Sequence, residues 1–211
     1  MKKLFLVFTI LYLINYSSQE IIKLPEPDKE GGMPLYEALN KRESKRNFDP
    51  TKKVTPQIIS QALWCCYGIN RSQKKWKTVP SAKAWFPLLT YVFLEEGVYL
   101  YQADGHYLTK VLDGDYRAYT GTQTAIISKA RVNFVFIAEF KKKSAMDGDD
   151  EHKKRSMYLD TGHVTMALSL FAASNNMQGF DRAMVDTKKL LDLLGLKEGD
   201  YYFTLAYSLG F

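Results

Sequence analysis

Two patterns of hydrophobic and polar positions, one typical of helices and one typical of strands, occur along this chain. Apolar side chains recur every three or four positions after Thr55-Pro56, which predicts a capped helix that ends at Gly68. The same spacing predicts further helices at about 34–41, 156–175 and 187–195. Thr187 caps the last of these, and Gly162 in the long one would let another backbone approach closely.

Runs of β-branched and aromatic residues predict the strands. They cover residues 88–94, 98–102, 106–111, 132–140 and 201–209. Glu95-Glu96-Gly97 separates the first two runs and predicts a hairpin, while residues 132–140 are too apolar on both faces for an exposed edge. We therefore expect 132–140 at the centre of a sheet. Because helices and strands alternate without a regular βαβ rhythm, the sequence favours an α+β fold in one domain.

The N-terminal residues have the order of a secretory signal. Lys2 and Lys3 precede an apolar run that is too short to span a bilayer, and two serines follow it. We expect a signal peptide at 1–18 and an exported protein, periplasmic or extracellular; a buried N-terminal helix is the alternative. Residues 19–32 are rich in Pro, Gly and acidic side chains, which favours an extended arm before a domain at 33–211.

Two polar segments predict loops. Residues 70–77 are polar and basic, and residues 141–154 mix lysines with acidic side chains. The second segment lacks the register of a calcium-binding loop, so we expect it to be solvated.

Composition and charge exclude several classes of function. Apolar residues make up 46% and charged residues 25%, which is typical of a globular protein. The formal charge of +6 forms no basic stripe, so a nucleic-acid partner is not expected. The cysteines, Cys65 and Cys66, are adjacent on a predicted helix, where buried thiols fit better than a strained disulfide.

Several familiar catalytic motifs are missing from the sequence. It has neither G-x-S-x-G nor H-E-x-x-H, and it lacks the glycine loops that hold nucleoside triphosphates or dinucleotides. The histidines His106, His152 and His163 are isolated, so we predict no metal. A hydrolase is disfavoured for the same reasons.

One basic segment is a candidate anion site. Residues 41–46, Lys-Arg-Glu-Ser-Lys-Arg, place four cations and a hydroxyl after a predicted helix. Guanidinium and hydroxyl donors that converge could bind a phosphate group. Composition alone favours the simpler interpretation, in which these cations complement the helix dipole and face water.

The order of three motifs changes that balance. Residues 39–48 read LNKRESKRNF, residues 79–84 read VPSAKA, and residues 177–185 read MQGFDRAMV. They resemble, in this order, the R-x-S-x-R/K signature, the P-S-A segment and the flavin-facing turn of the nitroreductase superfamily. The resemblance covers most of 33–211, and residues 68–101 are most similar to the azoline-type peptide dehydrogenase subgroup.

This resemblance implies a cofactor, a quaternary structure and a set of contacts. The cofactor would be FMN, bound by an intertwined homodimer with a central, mostly antiparallel sheet flanked by helices. The implied cofactor contacts are Arg42, Ser44 and Arg46, then Pro80, Ser81 and Ala82 from the second subunit, with Gln178, Gly179 and, more weakly, Gln123. Lys83 and Trp85 differ from common relatives, which would alter substrate access.

The implied activity is that of an FMN-dependent oxidoreductase. Electrons from NAD(P)H would reduce the flavin, and a nitroaromatic, a quinone or a similar small oxidant would then take them in a ping-pong mechanism. The chemistry would be centred on the flavin, so no side chain is assigned a catalytic role. The alternatives are an FMN-dependent dehydrogenase of a peptide or azoline-like substrate and a non-catalytic exported flavin- or ligand-binding protein.

One departure from the family pattern concerns the flavin phosphate. Many relatives supply a basic residue beyond the last strand, whereas this sequence ends at Phe211. We therefore expect Arg42, Arg46 or the loop at 70–77 to bind the phosphate.

Overall fold

The computed structural model describes residues 20–140 and 148–211. The predicted signal peptide at 1–18 lies outside the described residues, as do positions 141–147 of the second predicted loop. The described helices are α1 (Leu35–Lys41), α2 (Pro56–Tyr67), α3 (Thr124–Ile127), α4 (Asp150–Ser174) and α5 (Thr187–Leu193). The strands are β1 (Ile21–Lys23), β2 (Ile69–Arg71), β3 (Trp76–Lys77), β4 (Leu88–Phe93), β5 (Gly97–Gln102), β6 (Tyr107–Asp113), β7 (Val132–Glu139), β8 (Gln178–Arg182) and β9 (Tyr201–Gly210).

Seven of the described strands form one antiparallel sheet, in the order β1-β6-β5-β4-β7-β9-β8. β7 pairs with β4 on one side and with β9 on the other, and its residues 132–138 are all buried. This apolar run is interior because both of its faces are covered. The prediction of an α+β fold around a central antiparallel sheet is confirmed, whereas the homodimer stays a prediction.

Helices cover both faces of the sheet. Leu63 of α2 and Leu168 of α4 share one apolar cluster with Phe134 of β7. On the opposite face, Leu190 of α5 shares a second cluster with Val135. Burial of both apolar faces therefore holds the layers together. None of the helices within the described ranges is long and apolar enough to cross a membrane.

Side chains cap the two long helices. The Thr55 side chain accepts a hydrogen bond from the Ile58 N–H and starts α2, as predicted. α4 begins at Asp150 and not near residue 156, because the Asp149 carboxylate accepts from the His152 N–H at 2.8 Å. Asp149, Asp150 and Glu151 of the predicted loop are thus the cap and first turn of α4, where they complement the helix dipole.

The segment after α4 also differs from its prediction. Residues 178–182 of the expected turn form the edge strand β8, which pairs along its length with β9. The cap of α5 is Asp186, whose side chain accepts from the Lys189 N–H, and not Thr187. The second difference concerns a single polar position, where the sequence pattern does not decide between a cap and a first helical residue.

The basic segment at 70–77 is a small hairpin of β2 and β3 instead of a loop. The Trp76 ring lies 5.2 Å from the Arg71 guanidinium carbon and 4.5 Å from Lys74 Nζ. These cation–π contacts stabilise side chains whose polarity predicted a loop.

The N-terminal arm adds an edge strand to the sheet. β1 pairs with β6, and Ile22 and Leu24 pack against the main apolar cluster. The Ser60 hydroxyl of α2 donates a hydrogen bond to the Pro25 carbonyl oxygen. The arm is therefore joined both to the sheet and to a helix.

His106 links the elements that hold this arm. It lies in the turn before β6 with a φ of 50°, one residue before the strand begins. Its Nε2 is 2.7 Å from Ser60 Oγ, and its Nδ1 is 2.8 Å from the Tyr101 hydroxyl oxygen. Because Ser60 gives its single proton to Pro25, Nε2 donates and Nδ1 accepts from Tyr101. Burial lowers the pKa of His106, which agrees with this neutral imidazole.

Candidate functional site

The predicted Arg-Ser-Arg block lies beside the edge strand β8. The Lys45 N–H donates to the Gly179 carbonyl oxygen at 3.0 Å. The Asn47 N–H donates to Gln178 Oε1 at 2.9 Å, across 131 residues of sequence. The fold thus brings the first and third sequence motifs together through direct hydrogen bonds.

Gly179 is needed for a close approach between β8 and β9. A Cβ atom at this position would lie 2.7 Å from Cε1 of Tyr207, too close for a real contact. Burial raises the pKa of Tyr207 to about 12, and the hydrogen bond from the Ser169 side chain and the charge of Arg42 oppose that shift. Arg42 is therefore close enough to act electrostatically on the Tyr207 hydroxyl, which faces the glycine of β8.

A larger and a smaller cavity lie along this junction. The larger, of about 500 Å³, is lined by Asn40, Lys41, Glu43, Lys45, Ala173, Asn176, Met177 and Gln178. The smaller, of about 180 Å³, is lined by Arg46, Thr122, Gln123, Phe180, Asp181, Arg182, Ala183 and Met184. Gln123 and Arg46 come from distant parts of the sequence, yet both line the smaller cavity.

Cationic side chains surround the ring of Phe180 in this smaller cavity. The Arg46 guanidinium carbon lies 4.6 Å from the centre of the ring, and that of Arg182 lies 5.4 Å from it. Arg46 and Ser44 are exposed, so their donors remain open to solvent. Two arginines against one aromatic ring make this end of the junction suited to an anionic or carbonyl-rich ligand.

Arg182 is a functional candidate that the sequence analysis missed. Its side chain is 94% buried and donates to acceptors on Thr120, Asn133 and Ser208. Among residues 20–140 and 148–211, no carboxylate lies within ion-pair distance of it and Nε has no hydrogen-bond partner. Burial lowers the pKa of Arg182 to about 10, although Asp181 opposes the shift.

The P-S-A segment lies apart from both cavities within one chain. None of Pro80, Ser81 and Ala82 lines either cavity. The Ser81 hydroxyl and the Ala82 N–H both donate to the carboxylate of Asp160 on α4. Within one chain these residues are therefore separate from the other predicted contacts, and their place at the cofactor of a second subunit stays a prediction.

Within residues 20–140 and 148–211, the cysteines and the acidic residues are not grouped as a metal site would require. In the part of the chain that the structure describes, no group of three or more His, Cys, Asp or Glu side chains could hold a metal ion. Cys66 is buried and Cys65 is half-buried, and both are free thiols. Burial raises the pKa of Cys65 to about 11, so it stays protonated at neutral pH.

Comparison with known proteins places these features in a family. Residues 39–211 match the model of the nitroreductase family. A Methanocaldococcus jannaschii protein named as a candidate nitroreductase is 27% identical over 186 residues, covering 84% of this chain and 90% of that protein.

Solved structures agree with this match. A candidate nitroreductase from Ralstonia eutropha JMP134 is 29% identical with a TM-score of 0.83, covering 92% of this chain and 90% of that one. Another from Desulfovibrio desulfuricans, crystallised with FMN, is 16% identical with a TM-score of 0.61, covering 85% and 87%. At 16% identity the likeness shows the fold alone. Because the family match runs from residue 39 to residue 211, this chain belongs to the nitroreductase family.

Proposed function

We propose that this protein is an FMN-dependent oxidoreductase that transfers electrons from NAD(P)H to nitroaromatic, quinone or similar small oxidants. The observation that carries the proposal is the junction between residues 42–47 and β8. There the fold joins two flavin-type motifs that carry three arginines: Arg42 and Arg46 in the first motif and Arg182 on β8. Family membership and the FMN bound to the Desulfovibrio desulfuricans structure support the same cofactor.

The chemistry of the junction fits FMN. A phosphate accepts bidentate hydrogen bonds, and Arg42 and Ser44 supply guanidinium and hydroxyl donors for it. The carbonyl oxygens of the flavin pyrimidine ring match the donors of Arg46 and Gln123 in the smaller cavity. The buried guanidinium of Arg182, whose Nε has no hydrogen-bond partner among the described residues, adds positive charge to the lining of that cavity.

Bound FMN would supply the redox chemistry, namely hydride acceptance from a reduced nicotinamide and electron transfer to the oxidant. The residues of this chain bind and orient the cofactor. Arg46 and Arg182 place fixed positive charge near one end of the junction, which favours a negatively charged reduced state. No side chain is needed as acid or base, because solvent can protonate the product.

We further propose that two copies of the chain complete the site. On α4 the exposed apolar residues Tyr158, Leu159 and Met166 follow one face with Gly162, and a Cβ at Gly162 would meet nothing within 4 Å. On α1, which packs against α4, Leu35, Tyr36 and Leu39 are also exposed. Leu35 and Leu39, one helical turn apart, therefore face solvent in this chain and do not belong to the core.

An exposed apolar patch of this kind is typical of protein interfaces. A second copy is the partner that would bring Pro80, Ser81 and Ala82 to the cofactor. Export to the periplasm or the extracellular space also stays our proposal, and N-terminal sequencing of the mature protein tests it.

The first test is the absorbance spectrum of the purified protein after incubation with FMN. We expect a protein-bound flavin band that bleaches on anaerobic addition of NADH or NADPH and returns when a nitroaromatic or quinone is added. A band that ignores both nicotinamides would contradict the donor, and no bound flavin would contradict the proposed function.

A paired substitution tests the assigned residues. Arg42→Ala with Arg46→Ala should weaken FMN binding by at least a hundredfold, because two charge-assisted contacts of about 1.5–3 kcal/mol each are lost. Arg71→Ala with Lys74→Ala removes the same charge from the β2–β3 hairpin and should leave binding unchanged. Equilibrium dialysis measures both, and loss of binding in the hairpin variant alone would move the phosphate site there.

A further inference from the structure

Asp160 fixes both donors of the P-S-A segment. Its carboxylate, 4% exposed on α4, accepts from the Ser81 hydroxyl at 2.6 Å and from the Ala82 N–H at 3.1 Å. Ser81 Oγ in turn accepts from the Phe86 N–H at 2.8 Å. One carboxylate thus organises the whole turn from residue 81 to residue 86.

This turn is held in a conformation that side chains rarely adopt. Lys83, Ala84 and Phe86 have φ values of 50°, 54° and 48°, in the left-handed region where only glycine is unstrained. Such strain persists only where surrounding contacts over-determine the backbone. The carboxylate bridge to α4 is a contact of that kind.

The hydrogen bonds that Ser81 and Ala82 already make leave them no proton to donate to a ligand. A serine hydroxyl has one proton, and that of Ser81 goes to Asp160. The N–H of Ala82 goes to the other carboxylate oxygen. These two groups therefore have no proton to donate to a cofactor, and the segment presents its backbone shape and the exposed ring of Pro80 instead.

Burial makes the bridge sensitive to change. Desolvation raises the pKa of Asp160, while the bonds from Ser81 and Ala82 oppose this shift by favouring the ionised form. A buried carboxylate that lost these donors would be left unsatisfied. Asp160 and the turn therefore depend on each other.

We propose that Asp160 is a positioning residue that presents Pro80, Ser81 and Ala82 to the FMN of the second subunit, and that the Ser81 hydroxyl serves Asp160 and not the cofactor. This inference rests on the proposed function. Asp160 acts through the turn, so its substitution changes the surroundings of the flavin without removing a direct contact.

A double-mutant cycle tests the assignment. Ser81→Ala, Asp160→Asn and the double variant are compared by FMN dissociation constant and by the visible absorbance and circular dichroism of the bound flavin at saturation. We expect each single variant to weaken FMN binding at least tenfold and to shift the flavin spectrum, and the double variant to be no weaker than Asp160→Asn within about twofold. The control Thr165→Val alters a buried hydroxyl on the same helix and should leave both readouts unchanged.

Three results would overturn the proposal. Multiplicative losses in the double variant would mean that Ser81 contacts FMN independently of Asp160. Wild-type affinity and spectrum in Asp160→Asn would remove its positioning role, as would a Thr165→Val variant that loses FMN equally, since that indicates a general loss of α4.

A second variant covers the case in which Asp160→Asn does not fold. Asp160→Glu keeps the charge and shifts the carboxylate by one methylene, so it should fold, weaken FMN binding and change the flavin spectrum; an unchanged spectrum and affinity would contradict the proposal. If the wild-type protein itself binds no FMN, the proposed function has failed, and that outcome is distinct from wild-type binding that Asp160 variants leave intact.

Discussion

At the residue scale, a buried cation distinguishes the junction between residues 42–47 and β8. Arg182 satisfies three neighbouring acceptors but has no carboxylate within ion-pair distance in the described ranges. Burying a charge without an ionic partner costs free energy, so a negatively charged ligand beside it would be favoured. The smaller cavity is where such a ligand would lie.

Substitution of this arginine should therefore affect both stability and redox properties. Arg182→Met leaves the acceptors of Thr120, Asn133 and Ser208 unsatisfied, and we expect the free energy of unfolding to fall by about 1–3 kcal/mol. The reduction potential of bound FMN should become more negative, because a charge that stabilises the reduced form is lost.

Denaturant titration and spectroelectrochemistry measure these two effects. Arg182→Lys keeps the charge and loses the planar fork, so it should lower stability but leave the potential nearer to the wild-type value. A potential unchanged in both variants would make Arg182 a structural residue only.

The sequence predicted some of these residues and not others for a physical reason. Arg42, Arg46 and Gln178 stand in recognisable motifs, so their place could be anticipated. Arg182 lies in the 177–185 motif too, but it was missed together with Asp160 because charged residues on a strand or helix are usually exposed, and only the tertiary packing shows that these two are buried.

At the scale of elements, a hydrogen-bonded histidine joins the arm to the body of the protein. His106 connects Ser60 of α2 with Tyr101 of β5, while Ser60 holds the carbonyl oxygen of Pro25. The Nδ1 atom accepts a hydrogen bond only while the imidazole is neutral. Protonation would break the link between the histidine and Tyr101.

Stability should therefore depend on the protonation of His106. Burial and, to a smaller extent, Lys29 lower its pKa in the folded state, while Glu26 and the backbone at Pro25 oppose the shift. Because the unfolded histidine titrates near pH 6.5, the unfolded state binds the proton first as the pH falls. The contribution is present above about pH 6.5 and is lost as the pH falls through the lowered pKa.

Unfolding free energies measured between pH 7.5 and 5 in wild type and His106→Gln check this expectation. The difference between the two proteins should shrink on acidification, and using the difference removes the contribution of Asp160, whose raised pKa acts in the opposite direction. A His106→Gln profile parallel to wild type would refute the link.

Most elements could be predicted from periodicity, and three of the errors share one cause. α2, β7 and β9 carry long apolar patterns that determine their position in the core. The start of α4, the cap of α5 and the β2–β3 hairpin depend instead on single hydrogen bonds or cation–π contacts of polar residues, which hydrophobic periodicity does not report.

At the scale of the whole molecule, the apolar stripe on α1 and α4 predicts self-association. Leu159→Asp should convert the proposed homodimer to a monomer and reduce FMN affinity at least tenfold, because a charge placed in a buried apolar contact has no partner. Light scattering coupled to size exclusion and equilibrium dialysis measure both effects.

A residue of similar exposure elsewhere provides the control. Leu159 is 61% exposed and Ile21 is 59% exposed. Ile21 lies on β1, at the edge of the sheet opposite to β8 and its junction with residues 42–47. Ile21→Asp should leave the oligomeric state and the FMN affinity unchanged. A monomeric wild-type protein that still retains FMN would contradict the shared site.

The place of β1 in the sheet has a consequence for solubility. Without β1, the strand β6 would become an open edge whose unpaired N–H and carbonyl groups form a template for the strand of another molecule. β1 is three residues long, and Lys23 lies on it, which are features that discourage further strand addition. The short arm therefore protects β6 from edge-to-edge aggregation. A protein that begins at residue 25 should precipitate through β6, while the junction between residues 42–47 and β8, at the far edge of the sheet, stays intact.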